Sequence, residues 1–231
     1  MRSLAKLWKR FLILVLFILP CGLHAATIQF SIPYYSVGII HDIKTGQAIG
    51  SGFLLDDIHY TVTAWHVVVD ERTKRERKIV FIPVKGVGAN ETPPPLQVSP
   101  YRLYPDSDIA VMRVEGKNFA KESLVRGDTL SLRAGDMIGY GGFDVRKTSP
   151  GQTTFTVSGH RITDVLEIGN HRFLEIRGIA IPGFSGGPVF GGGKQVVGII
   201  LQGRPRPDVD GRVRFYAATV DRIPMFLSAP K

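Results

Sequence analysis

Short apolar runs rich in β-branched and aromatic residues recur from residue 27 onward, each broken by glycine, proline or charge. They are SVGIIHDI (36–43), GFLLD (52–56), YTVTAW (60–65), KIVFIPV (78–84), DIAVMRV (108–114), DMIGYG (136–141), TTFTVSGHRI (153–162), RFLEIRGI (172–179), PVFGGGKQVVGIIL (188–201) and RVRFYAATV (212–220). At least ten short strands at this spacing, with no sustained helical period, predict an all-β barrel or sandwich. FGGGKQV (190–196) reads as a hairpin whose glycines supply positive φ. TPPPL (92–96) reads as a surface loop, and the weakly patterned stretch 115–130 as a bridge between two halves of similar strand count. The tail DRIPMFLSAPK (221–231) is expected to hold a short helical turn.

The N-terminus follows another rule. Arg2, Lys6, Lys9 and Arg10 precede the apolar run FLILVLFIL (11–19), and Pro20, Gly22, Ala25 and Ala26 follow it. A basic start, a short apolar stretch and small residues predict a signal peptide over 1–25. The run falls short of the roughly 20 residues a membrane span needs, so membrane contact is expected only if this segment stays uncleaved. Removing it takes four basic residues, and the formal charge falls from +9 to +5 (9 − 4). It also takes Cys21, the single cysteine of the 231 residues. An exported chain without cysteine must be stable through its core alone, which fits a bacterial periplasm or secreted protein. The run ERTKRERK (71–78) holds five positive charges and reads as a solvated loop rather than a nucleic-acid site.

The chemistry concentrates in GFSGGP (183–188), where Ser185 stands among glycines. G-x-S-x-G also marks the nucleophile elbow of α/β-hydrolases, whose histidine follows the serine. Here all six histidines (24, 41, 59, 66, 160 and 171) precede Ser185, so that reading fails. The order histidine, aspartate, serine is available in His66, Asp108 and Ser185. Serine needs an imidazole to take its proton, and a carboxylate to fix the imidazole's tautomer. Asp106 competes with Asp108 for that last place, but Asp108 directly precedes the apolar run. The amides of Gly183 and Ser185 are candidate donors to a developing oxyanion. GGGK (191–194) is followed by Gln195 rather than Ser or Thr, which excludes a phosphate-binding loop. The histidines form no metal-ligand spacing, so neither a metal nor a cofactor is expected.

GSGFLL (50–55), TAWHVV (63–68), DIAVMRV (108–114) and GFSGGPVFGGGKQVVGI (183–199) resemble the trypsin-like serine peptidase family, and most closely its bacterial Deg/HtrA-type branch. YAATVDRI (216–223) is similar to the segment closing the second barrel in that branch. The resemblance implies two antiparallel six-stranded β-barrels, over 27–120 and 121–231, with His66, Asp108 and Ser185 in the cleft between them. It implies an endopeptidase acting on polypeptides, with no cofactor and no nucleic-acid partner; the sequence sets no oligomeric state.

Three departures from the family pattern carry information. Phe184 stands where cleavage-activated relatives have an acid that pairs with a freed N-terminus. Ile179 stands where enzymes preferring Arg or Lys have an aspartate; with Ile181, Ile200, Leu201 and Gln202 it outlines an expected substrate site for small or apolar residues. Leu201 also replaces a hydroxyl residue that often binds the catalytic acid. Only 46 residues (231 − 185) follow Ser185, so no PDZ domain is expected. The alternative expectation is a peptidase-fold binding module with little turnover.

Overall fold

The computed structural model describes residues 35–84, 94–117, 120, 122–147, 155–192, 195–201 and 213–223. The expected leader at 1–25, Lys194, Gln202 and the tail beyond 223 lie outside the described residues. Six strands, β1 (Val37–Asp42), β2 (Ala48–Leu54), β3 (Tyr60–Ala64), β4 (Ile79–Pro83), β5 (Leu96–Tyr104) and β6 (Ile109–Val114), close into a barrel in the order β1-β2-β3-β6-β5-β4. Every pairing in it is antiparallel. Alternation sets its inner face: in β4, Ile79 and Phe81 are buried while Val80 and Ile82 are less so. Ile40, Phe53, Val62, Phe81, Val111 and Met112 fill the interior with no exposed surface.

A second barrel follows from β8 (Met137–Phe143), β9 (Phe155–Ile168), β10 (His171–Gly178), β11 (Pro188–Gly192), β12 (Gln195–Ile200) and β13 (Val213–Thr219). Its order is β11-β8-β9-β10-β13-β12, and antiparallel pairing of β11 with β12 closes the ring. The hairpin read at 190–196 is that β11–β12 connection. Tyr140, Ile176, Phe184, Val189 and Phe215 make its core. Closure leaves neither barrel an open edge.

Two stretches differ from the pattern reading. Strand β5 escapes an apolar scan because only Leu96 of its nine residues is buried and Pro100 interrupts it. The chain accommodates Pro100 with a register shift between Pro100 and Arg102. The presumed bridge 115–130 contains a two-residue strand, β7 (Val125–Arg126), which pairs parallel to β12. Arg126 ties the barrels together: it pairs with Asp56 and donates to the carbonyls of Val220 and Ile223. Leu124, fully buried, anchors the same stretch.

Candidate active site

The strand β3 ends at Ala64, and a single helical turn, α1 (Trp65–Val68), carries His66. Two of its four residues are valines, which helices disfavour, so tertiary contacts hold it. Val67 and Val68 are buried, and the Trp65 amide donates to the Asp108 carbonyl at 3.0 Å. Asp108 follows a 3-10 turn over Pro105–Ser107 and adopts a left-handed conformation, φ 54° and ψ 41°. Aspartate tolerates that region better than most residues. The turn aims its carboxylate at the end of the neighbouring strand β3, where Ala64 pairs with Ile109. Oδ2 meets His66 Nδ1 at 2.7 Å, and Oδ1 accepts the His66 backbone amide at 3.0 Å. A carboxylate only accepts, so Nδ1 carries the proton and the neutral ring's free lone pair is on Nε2. Asp106, in contrast, is exposed on the outside of the turn.

Ser185 enters from the second barrel. It and His66 line one cleft of about 660 Å³, together with Gly183, while Asp108 lies behind His66. The loop from Pro182 to Gly187 has two left-handed glycines, Gly183 at φ +101° and Gly186 at φ +84°. A Cβ on Gly183 would lie 2.3 Å from the Phe143 carbonyl, and one on Gly186 2.2 Å from the Ser51 carbonyl. The four carbonyls of residues 182–185 are all engaged. Pro182 accepts from the Val145 amide at 3.1 Å, Gly183 from the Ser51 hydroxyl at 2.6 Å, Phe184 from the Gly187 amide at 2.8 Å and Ser185 from the Ser51 amide at 2.8 Å.

Amides follow from carbonyls. The peptide bonds among the described residues are trans, so each N–H points opposite to the preceding C=O. The Phe184 and Gly186 amides bond Ile181 and Ile200. The Gly183 and Ser185 amides face away from the Val145 and Gly187 anchors, and among the described residues neither meets an acceptor.

Of the expected substrate residues, Ile181, Ile200 and Leu201 line the cleft, with Val213 and Phe215 beside them. Ile179 does not line it; its side chain is 55% exposed, while its backbone amide and carbonyl bond the Tyr140 hydroxyl. Leu201 belongs to the hydrophobic cluster that runs from the first barrel's interior to Phe190, Ile199 and Ala218 of the second. Phe184 is buried, edge-on to Tyr140 at 6.4 Å between ring centroids. Beyond His66 the cleft is rimmed by Asp70, Glu71, Arg72 and Arg77. The Thr73 amide above all, with the Arg72 amide and Arg77, holds the Asp70 carboxyl below its ordinary value. The remainder of the run 71–78 is mostly exposed.

This rim, Ser51 and Val145 were not singled out from sequence as parts of the site. A serine between two glycines on a buried strand, Gly50-Ser51-Gly52, was the available signal for the second of these.

Residues 50–199, well over half of the chain, match the family described as the trypsin-like peptidase domain. The chain belongs to the trypsin-like peptidase family. Within that family it is 28% identical over 165 residues to a probable periplasmic DegP-like serine endoprotease of Pseudomonas putida strain W619. It is 29% identical, over the same length, to the protein of that description from strain GB-1. Each match covers 69% of this chain and 30% of the relative, so the chain spans under a third of those proteins' length.

Solved structures share this trypsin-like fold at lower identity. Deg5 superposes with a TM-score of 0.57 at 22% identity, over 73% of this chain and 79% of that one. The active form of the Rv3671c protease from M. tuberculosis gives 0.56 at 18%, over 84% and 85%. The HtrA-type protease AlgW with a decapeptide gives 0.55 at 18%, over 75% and 48%.

Proposed function

We propose that this trypsin-like peptidase is an exported serine endopeptidase in which Ser185 is the nucleophile. His66 Nε2 takes the serine proton, and Asp108 holds the ring by Nδ1 and stabilises the imidazolium that forms. The Gly183 and Ser185 amides bind the oxyanion of the tetrahedral intermediate. His66 then returns the proton to the leaving amine, and water repeats the sequence on the acyl-enzyme. The observation that carries this reading is the peptide arrangement at 182–185, in which the Gly183 and Ser185 amides meet no acceptor among the described residues. Donors fixed in advance need no reorganisation when charge develops, and one is worth roughly 3–4 kcal/mol of barrier.

A small or apolar residue is expected on the acyl side of the cleaved bond. The support is the lining by Ile181, Ile200, Leu201 and Val213, with no carboxylate among these four. Export is supported by the basic and apolar leader and by the relatives, whose names call them periplasmic. A fluorophosphonate probe should label the mature protein, and Ser185→Ala should abolish the label. Labelling that survives in Ser185→Ala would overturn the assignment, and labelling without cleavage of any peptide library would favour a binding module.

A further inference from the structure

Ser51 belongs to β2 in the first barrel, and its side chain is entirely buried. It nevertheless supplies two of the four bonds that pin the nucleophile loop of the second barrel: its hydroxyl donates to Gly183, and its amide donates to Ser185. The hydroxyl also accepts the Phe143 amide at 3.0 Å, at the end of β8. The Ser51 carbonyl in turn accepts the Thr63 hydroxyl at 2.7 Å, on the strand leading to His66. One residue thus joins the strand before the histidine, the strand β8 and the loop of the nucleophile.

We infer that Ser51 is a positioning residue for catalysis: its hydroxyl fixes the Gly183–Phe184 peptide, and through it the direction of the Gly183 and Ser185 amides. The inference rests on the proposed catalytic reading. The chemistry is specific to a hydroxyl in this place. One oxygen must donate to a carbonyl and accept from an amide at once, which a hydroxyl does and a methyl cannot. Without it, the buried Phe143 amide and the part-buried Gly183 carbonyl lose this partner, and the loop relieves this by rotating the peptide toward other donors. Gly183, at φ +101°, is the residue with the backbone freedom to rotate. Ser51 touches no substrate. Its influence falls on the transition state, because the amides it aligns meet negative charge only there.

The test compares Ser51→Ala with the parent on a cleaved peptide and on a peptide boronate, which forms a tetrahedral anion with the serine. The expected result is a kcat lower by roughly 10- to 100-fold, a KM within about twofold, and boronate affinity reduced in step with kcat. Phe81→Leu, a cavity change deep in the first barrel, supplies a destabilised control whose kcat should stay at the parent value. If Ser51→Ala does not fold, Ser51→Cys keeps the size with a weaker donor and should still lower kcat and boronate affinity together. A serine variant with parental kcat and boronate affinity overturns the inference. So does a loss confined to KM, or a loss equal to that of Phe81→Leu at matched melting temperature. A parent that neither cleaves nor binds the boronate refutes the catalytic reading instead, which separates the two failures.

Discussion

The Val145 amide donates to the Pro182 carbonyl at 3.1 Å, and this bond sets which way the next amide points. Rotate the Pro182–Gly183 peptide and the Gly183 N–H leaves its place beside Ser185, with a carbonyl oxygen put there instead. An oxygen in that position repels an oxyanion. Readiness for catalysis therefore resides in one rotatable peptide unit, held at its carbonyl by the Val145 amide.

Gly183→Ala probes that unit directly. The added methyl would approach the Phe143 carbonyl to 2.3 Å and the Val145 side chain to 2.4 Å, at a φ that L-residues avoid. Relief requires the peptide to move, at a cost of about 1–3 kcal/mol in backbone strain alone. Fluorophosphonate labelling should be lost, and the melting temperature should fall by several degrees in calorimetry.

Asp108→Asn separates orientation from packing. Asparagine tolerates the left-handed conformation at φ 54°, so the fold and melting temperature should change little. It can, however, present an N–H to Nδ1 and so stabilise the wrong tautomer. The expected loss in kcat is roughly 10³- to 10⁴-fold at neutral pH. Asp106→Asn, at an exposed site two residues earlier, should stay within about twofold of the parent. Equal losses in both would remove Asp108 from its assigned place.

Phe184 supports the nucleophile loop from beneath. Its ring is buried against Tyr140, so Phe184→Ala should destabilise by about 3–5 kcal/mol through lost burial and a residual cavity. Phe184→Asp adds an unpaired buried charge and should be less stable still. Melting temperatures should fall in the order Phe, Leu, Ala, Asp. An aspartate variant as stable as the parent would mean that the pocket supplies a hidden cation.

Asp70 gives a pH signature. Its carboxyl is held below the ordinary value of 3.8 by the Thr73 amide foremost, then by the Arg72 amide and Arg77. A depressed folded-state value means that its contribution is complete above the unfolded value and fades as pH falls through the folded one. Asp70→Asn should leave stability near pH 7 slightly reduced and flatten its decline below pH 4, read by urea denaturation across pH. A steeper acid decline in the variant would contradict this sign.

Much of the fold was written in alternation. Runs such as KIVFIPV and RVRFYAATV became strands because the buried side chains occupy every second position, as in Ile79 and Phe81. Strand β5 was not legible, since its pairing with β4 and β6 is made by backbone groups while only Leu96 of its nine residues is buried. At the site, His66, Asp108 and Ser185 could be proposed from their order because the chemistry calls for those residue types. The structure bonds His66 to Asp108 and sets His66 and Ser185 on one cleft. The means of holding them was not legible. The left-handed turn at Asp108 and the bonds from Ser51 and Val145 depend on which backbone groups meet after folding, and no residue type announces that.

The anchors of the nucleophile loop come from separate bodies: Ser51 from the first barrel, Val145 from the chain just past β8 in the second. Neither barrel alone can set all four carbonyls. A chain with a single barrel formed lacks part of these anchors, and so lacks the aligned pair of amides. The site works as a coincidence detector for complete folding. Under the proposed reading, nucleophile, base and oxyanion donors come into register only once both barrels have closed.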